Sequence, residues 1–309
     1  MIYALIDMGS NTIRLNIYKC KGSDVNLLFT TKDSAGLVGY VKDGVLSQKG
    51  INKACNVLNK FNELIKNFEI DQLKIFATAS LRNINNTEDV LKFIEKKTGL
   101  RVDVISGEDE AVFDFIGATK VVNVKDGVLI DIGGGSTELV AFEDGKIIHA
   151  LSIPIGSLKL YKRYVSHLFP KKKEMKKIKK MVYYELDKIK KMDIKPYKII
   201  CGVGGSVRAA RKLNNAIFEL PDIDAPIKVK NLNKILNLLS RNYKESLDII
   251  LQVVPDRIHT IIPGLIILNV ISEFFKSESI IVSNSGVREG YLYGKVLKGE
   301  SKNGKNKYF

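Results

Sequence analysis

One short pattern occurs twice, 124 positions apart: Ile6-Asp7-Met8-Gly9-Ser10-Asn11-Thr12 and Ile130-Asp131-Ile132-Gly133-Gly134-Gly135-Ser136. Each copy closes an apolar, β-branched run on an acid, turns on glycine and small polar residues, and leaves on another extended run. The surroundings repeat as well. Around the first copy, residues 3–7, 12–18 and 25–30 read as a three-stranded meander. A helix over about 47–68 follows, with Ile51, Val57, Leu58, Phe61, Leu64 and Ile65 on one face. Strands at 73–77 and 102–105 then alternate with helices at 86–97 and 107–118. Around the second copy, 128–131, 137–142 and 146–152 give three more extended runs before helical territory. A chain that restarts its grammar in this way is expected to be an α/β protein of two related domains, 1–123 and 124–309, with a cleft between them.

The repeated turn also suggests a chemistry. Glycine lets backbone amides approach a phosphate unobstructed, and small hydroxyl or amide side chains add hydrogen bonds. Gly133, Gly134, Gly135 and Ser136 suit that task, as do Gly9, Ser10 and Asn11 with fewer glycines. The acids that precede them, Asp7 and Asp131, are suited to a hydrated Mg²⁺. A lone glycine turn is weak evidence, because hairpins use glycine for geometry alone. Two related turns at the heads of two related units are stronger. A third turn, Gly202-Val203-Gly204-Gly205-Ser206, opens a helix and offers its exposed amides to an anion, and a fourth, Ser283-Asn284-Ser285-Gly286, again joins a strand to a helix.

Charge narrows the partners without naming one. The 309 residues carry a formal net charge of +15, and the excess lies behind residue 150, where 31 Lys and Arg stand against 14 Asp and Glu. Such a surface concentrates polyanions, whether nucleic acid, anionic membrane or a phosphate polymer. The densest part, 170–196, places Met175, Ile178, Val182, Leu186 and Ile189 at helical spacing, so one face packs and the other is basic. That face is either a solvated surface or a polyanion track. The chain starts with an acid at position 7, and its most apolar later stretch, 261–270, is broken by Pro263, Gly264 and Asn269, so neither a secretion signal nor a membrane span is read and a cytoplasmic location is expected. Cys20, Cys55 and Cys201 lack paired spacing, and His149, His167 and His259 share no metal spacing. The tail from 298 is expected to fray.

Three longer motifs tighten this reading. Ala77-Thr78-Ala79-Ser80-Leu81-Arg82-Asn83, Ile105-Ser106-Gly107-Glu108-Asp109-Glu110-Ala111 and the run from Ile130 to Leu139, in this order, closely resemble the exopolyphosphatase and guanosine pentaphosphate phosphohydrolase family. The resemblance continues through Ile153-Pro154-Ile155-Gly156-Ser157, the segment 202–208, Pro255-Asp256-Arg257, Pro263-Gly264 and Val282 to Gly290. At one position the sequence departs: the family usually has Asp where this chain has Asn284. The chain also resembles the short, two-domain form of the family.

The resemblance implies the duplicated actin-like (ribonuclease H-like) fold, with the last helix, about 287–300, packing back on the first domain. It implies Mg²⁺-dependent release of terminal phosphate from inorganic polyphosphate, guanosine pentaphosphate or both, and by analogy a homodimer. Glu110 is then the residue that positions and deprotonates water, and Arg82 grips phosphate. Asp131 and Glu138, with Asp7 as a lesser contributor, organise the cation, and Gly204, Gly205 and Ser206 join the phosphate-binding set. Other readings stay open: Glu108, Asp109 and Glu110 as acids favouring a helix start, Arg82 in a surface salt bridge, and Glu138 as a solvated hairpin residue. The rival functions are an ATP-dependent kinase or ATPase of the same superfamily and a non-catalytic regulator binding guanosine tetraphosphate or polyphosphate. Specific nucleic-acid binding has no recognisable reading helix or stacking motif to support it.

Overall fold

The computed structural model describes residues 1–22, 24–190, 195–221 and 225–298, so the expected fraying of the polar tail falls outside the described residues. The chain divides into two compact units, Met1–Gly107 and Glu108–Phe309.

In the first unit the meander is present as β1 (Ile2–Met8), β2 (Ile13–Lys21) and β3 (Asp24–Asp33), followed by a two-residue ribbon, β4 (Val41–Lys42) with β5 (Val45–Leu46). Helix α1 (Gln48–Ile65) starts after Ser47, whose hydroxyl accepts the Gly50 N–H at 3.4 Å. It ends three residues before the expected 68, because Asn67 and Phe68 bond back to Leu64 and Ile65 in tighter turns. Then come β6 (Gln72–Ala77), the short α2 (Ala79–Arg82), α3 (Thr87–Thr98) and β7 (Asp103–Val104). The sheet order is β3-β2-β1-β6-β7, antiparallel through the meander and parallel from β1 onward. Ile51, Val57, Leu58, Phe61 and Ile65 of α1 are buried with Ala4, Ile6, Met8 and Ile75 of the strands, as the helical spacing predicts.

The second unit opens with α4 (Gly107–Thr119), β8 (Gly127–Ile132), β9 (Thr137–Glu143) and β10 (Lys146–Ile153). It continues with α5 (Ser157–Tyr164), α6 (Lys172–Ile189), β11 (Ile199–Val203), α7 (Gly204–Ile217), β12 (Ile227–Lys228), α8 (Val229–Leu239) and α9 (Tyr243–Val253). It closes with α10 (Ile261–Phe274), β13 (Ser279–Val282), α11 (Val287–Tyr291) and a π-helical extension, Leu292–Leu297. The sheet order is β10-β9-β8-β11-β13-β12, again antiparallel over the first three strands and parallel through β8, β11 and β13. Both units therefore show the same mixed sheet led by a glycine-turned hairpin, a duplicated α/β fold.

The two hairpins share the hydrogen bond that closes the turn. Gly9 N–H bonds Thr12 O at 3.0 Å, and 124 positions on Gly133 N–H bonds Ser136 O at 3.0 Å. Asp7 faces Arg14 across the first hairpin and Asp131 faces Glu138 across the second, at the same offset.

The compact division falls at the start of α4 instead of near Asn123. The reason is packing: Ala111, Phe115 and Ala118 of α4 share a buried cluster with Leu129, Val140, Phe142, Cys201 and Val203 of the second sheet. The last helix packs on α4 within the second unit. The approach is close enough that a Cβ on Gly117 would lie 2.1 Å from the Gly286 carbonyl oxygen, and one on Gly290 would lie 1.6 Å from that of Phe113. Phe113 and Tyr291 stack edge-on at 5.4 Å beside it. On α6, Ile178, Val182, Leu186 and Ile189 are buried and Met175 is half-buried against the same core, as expected. Helix α10, buried along most of its length, has a continuous apolar sequence that reflects the middle of a core; no described helix is long and apolar enough to cross a membrane.

Candidate functional site

The expected site residues fall into two groups. Asp7, Gly9, Ser10, Asn11 and Arg82 belong to the first unit; Glu110, Asp131, Gly133 to Ser136, Glu138 and Gly204 to Ser206 belong to the second.

In the first unit, the turn after β1 is braced by the following loop. Val38 N–H bonds Ser10 O at 3.1 Å and Gly36 N–H bonds Asn11 O at 2.8 Å, while the Ser80 hydroxyl donates to Met8 O. Asp7 is half-buried at the strand end. Arg82, the last residue of α2, donates through Nη1 to Ile105 O at 3.2 Å, which fixes its stem at the edge of the parallel strands.

In the second unit, the turn is braced from behind by α5. Ser157 N–H and Lys159 N–H bond the carbonyls of Gly133 and Gly134, each at 2.9 Å. Gly156 must be glycine, since a Cβ there would lie 2.4 Å from the Gly134 carbonyl carbon. With its carbonyls held behind, the turn keeps the N–H groups of Gly134 and Gly135 without a hydrogen bond among the described residues. That is the donor arrangement expected of an anion cradle.

Asp131, next to last in β8, lies against the N-terminus of α7. A Cβ on Gly204, whose φ is +78°, would sit 1.9 Å from Asp131 Oδ1. The exposed amides and positive end of that helix therefore face a protein carboxylate. This changes the expectation for the third turn. Ser206 is buried and its hydroxyl is committed to Ile132 O at 2.8 Å, and Gly205 lies under the Arg257 guanidinium, a Cβ there falling 1.9 Å from Nη2. The turn's geometry serves Asp131 and Arg257. Ser136 is likewise occupied: its hydroxyl donates to Glu138 Oε1 at 2.7 Å, and the Ser152 hydroxyl donates to the same oxygen at 2.7 Å. Glu138, 1% exposed, is a held buried carboxylate, not a solvated hairpin residue.

Helix α4 separates its three consecutive acids. Glu108 and Asp109 are exposed, and Glu110 is 7% exposed. One turn later on the same face stands Asp114, 0% exposed, which sequence reasoning missed. Its oxygens are buried without a well-formed hydrogen bond. Burial foremost, then the charges of Asp131, Glu110 and Glu138, push its carboxyl well above the ordinary carboxylate range, and the Val287 N–H turned toward it offsets this only in part. The one sequence signal for Asp114 was an acid inside an otherwise apolar row, between Phe113 and Phe115. Arg257 was also missed as a site residue, although its Pro-Asp-Arg motif was visible. Burial pulls its guanidinium down while Asp256 and Asp131 support the charge. Asn284, where an Asp was expected by resemblance, is exposed and accepts from Arg211 Nη2 at 3.4 Å.

Four carboxyl groups thus share one neighbourhood of the second unit, with one of them buried and unpaired. Such a set needs a proton or a cation, and its oxygen donors fit Mg²⁺. Among the described residues no three His, Cys, Asp or Glu side chains already converge on one point. The fit is to a cation that keeps much of its own water, the usual habit of Mg²⁺.

The sequence matches the model of the Ppx/GppA phosphatase family over residues 17–299. Among solved structures, the chain is similar to the Ppx/GppA family member of Aquifex aeolicus at 27% identity and a TM-score of 0.78, covering 97% of this chain and 98% of that one. It is similar in fold to an exopolyphosphatase from Cytophaga hutchinsonii at 22% identity and a TM-score of 0.85, over 97% and 98% of the two chains. A more distant similarity of fold, at 10% identity and a TM-score of 0.57, links it to nucleoside triphosphate hydrolases from Neospora caninum, over 97% and 93%.

Proposed function

Because the chain belongs to the Ppx/GppA phosphatase family, matched over residues 17–299, we propose that it removes the terminal phosphate from inorganic polyphosphate, guanosine pentaphosphate or both, with Mg²⁺ bound. The observation that carries this reading is the burial of Glu110, one turn from an Asp114 that feels the charges of Glu110, Asp131 and Glu138, while its neighbours Glu108 and Asp109 face solvent. A helix-start acid with no chemical task would sit outside with the other two.

Hydrolysis needs a water held in line, a place for its proton, and neutralisation of the transferring phosphoryl group. Glu110 accepts the proton as the water oxygen bonds to the terminal phosphorus; the bridging P–O bond breaks, and its electrons leave with the shortened chain. Asp131 and Glu138 would hold the cation, Glu138 kept in place by two serine hydroxyls. The cation, when bound, supplies positive charge to the phosphate oxygens. Gly134 and Gly135 present N–H groups to the same oxygens, and Arg257 adds guanidinium donors.

The test is phosphate release from long polyphosphate, short polyphosphate and guanosine pentaphosphate, with and without Mg²⁺, for the wild type and Glu110→Gln. Release that needs Mg²⁺ and falls roughly 10²- to 10⁴-fold in the variant is expected. ATP turnover requiring an acceptor, with no release from these substrates, would point to the kinase reading instead.

A further inference from the structure

Helix α6 spreads its charge unevenly. Between 171 and 180 stand seven lysines and a single acid, Glu174. That acid is already engaged, its oxygens accepting from the Ser166 N–H at 3.1 Å, the Ser166 hydroxyl at 2.7 Å and the Lys171 N–H at 2.7 Å. Lys179 pairs with Glu273 at 3.2 Å, and toward the helix end Lys188 pairs with Glu185 and Lys190 with Asp187. Lys172, Lys173, Lys176, Lys177 and Lys180 are exposed, and none of them has an ion-pair partner among the described residues. At about 100° per residue these five fall within about 140° of the helix surface, opposite the face that buries Ile178, Val182, Leu186 and Ile189. Neighbours three and four apart in this stripe are all cations, so each such pair works against the helix, and the stripe starts in the first turns, where the helix dipole disfavours positive charge. A face with no task beyond solvation does as well with alternating signs, the pattern of the last turns.

One element joins the stripe to the phosphate turn. Helix α5 holds the carbonyls of Gly133 and Gly134 through the N–H groups of Ser157 and Lys159. Further along it exposes Lys162 and Arg163, and the link onward to α6 is closed by Ser166 on Glu174. All of these residues belong to the second unit. We propose that the outer surface of α5 and α6 is a docking track for the trailing part of a long inorganic polyphosphate whose end lies at the Gly133–Ser136 turn. Because α5 intervenes, only a chain of many phosphates engages turn and stripe together. The inference rests on the hydrolase reading for the identity of the polyanion and on the unpaired lysines for the place. A bare chain of charges fits this surface better than its rivals. Tyr184, the exposed aromatic of α6, lies under Lys188 Nζ at 4.4 Å, which leaves no free ring for a nucleic-acid base to stack on. The apolar face of the helix is already buried in the core, so nothing is left to enter a bilayer.

The experiment compares the full chain carrying Lys176→Glu with Lys177→Glu against the wild type and against Lys96→Glu with Lys97→Glu, an equal change of net charge on α3. Equilibrium binding of fluorescently labelled long polyphosphate is measured with Glu110→Gln added to each, so that the polymer is not shortened. Phosphate release from long polyphosphate, tripolyphosphate and guanosine pentaphosphate is measured without it. The α6 pair is expected to weaken long-chain binding roughly tenfold and to lower kcat/KM for long polyphosphate by a similar factor through KM, with both short substrates unchanged and a smaller effect from the α3 pair. Its melting temperature should not fall, because the new glutamates stand three or four residues from Lys172, Lys173 and Lys180. Lys176→Gln with Lys177→Gln is the second variant, and circular dichroism reports whether each is folded. Unchanged long-chain affinity in both folded α6 variants overturns the inference, as does an equal loss in the α3 pair. Binding of RNA or of phosphatidylserine vesicles that depends on the α6 lysines, with polyphosphate binding that does not, overturns it too. Phosphate release with α6-independent polyphosphate binding defeats only the inference; α6-dependent polyphosphate binding with no release from any substrate defeats only the hydrolase reading.

Discussion

Asp114 makes the clearest case at the scale of single residues, because burial makes its charge costly. Its carboxyl is held above the ordinary range in the fold, so between that range and the raised value the native state keeps a proton that the unfolded chain has released. Native-state stability without divalent cation therefore falls as pH rises through that window, and the contribution is flat below the unfolded value. Melting curves in chelator from about pH 5 to about pH 8 should show a shallower decline for Asp114→Asn than for wild type. An unchanged slope would mean the burial is relieved some other way. Gly204 supports a second prediction. Its φ of +78° and the contact with Asp131 make Gly204→Ala strained and displacing at once, at about 1–3 kcal/mol for the backbone alone. Denaturant unfolding should register that loss, and Mg²⁺ dependence should shift to higher concentration.

Residue identity also marks where the sequence stops being legible. Glu110 was separable from Glu108 and Asp109 only through a family motif, since all three favour a helix start equally. Asp114 could not be assigned because its burial depends on α11 and on strands β8 and β11, partners remote in sequence. The same holds for Ser206 and Gly205. A glycine-rich opening of a helix reads as an anion site, and it is one, but the anion against it is Asp131.

At the scale of elements, the hairpins, α1, α3, α4 and α6 were readable from period and capping, with ends shifted by a few residues where tighter turns or short pairings intervene. What periodicity could not give was allegiance. Helix α4 follows the first sheet in sequence yet buries Ala111, Phe115 and Ala118 with the second. Its seat against α11 is made through Gly117 and Gly290, where even a methyl group has no room. Gly117→Ala or Gly290→Ala should therefore disturb α4 as a body, taking Glu110 and Asp114 with it. A loss of phosphate release is expected, along with a lower melting temperature, whereas Glu110→Gln should spare the melting temperature.

For the whole molecule, charge is the property that travels furthest. A net charge of +15, concentrated behind residue 150, raises the local concentration of polyanions in a way that mobile ions screen. On the hydrolase reading, kcat/KM for long polyphosphate should fall steeply between about 0.05 and about 0.3 M salt, with kcat far less affected. Replacing Lys172, Lys173, Lys176 and Lys177 together on the basic side of α6 tests whether that helix is a track: a reduced salt slope for long chains alone is the expected result, and an unchanged slope would leave the face a solvated surface.

The three cysteines, Cys20, Cys55 and Cys201, are all buried and form no disulfide, and burial lifts the Cys201 thiol to about 12. A thiol in that state is a poor nucleophile. The native chain should therefore be silent toward thiol reagents until it unfolds, so a single cysteine added on each unit could carry a fluorophore without first stripping out the natural ones. Energy transfer between the two dyes would then follow the units through a turnover cycle in an otherwise wild-type molecule.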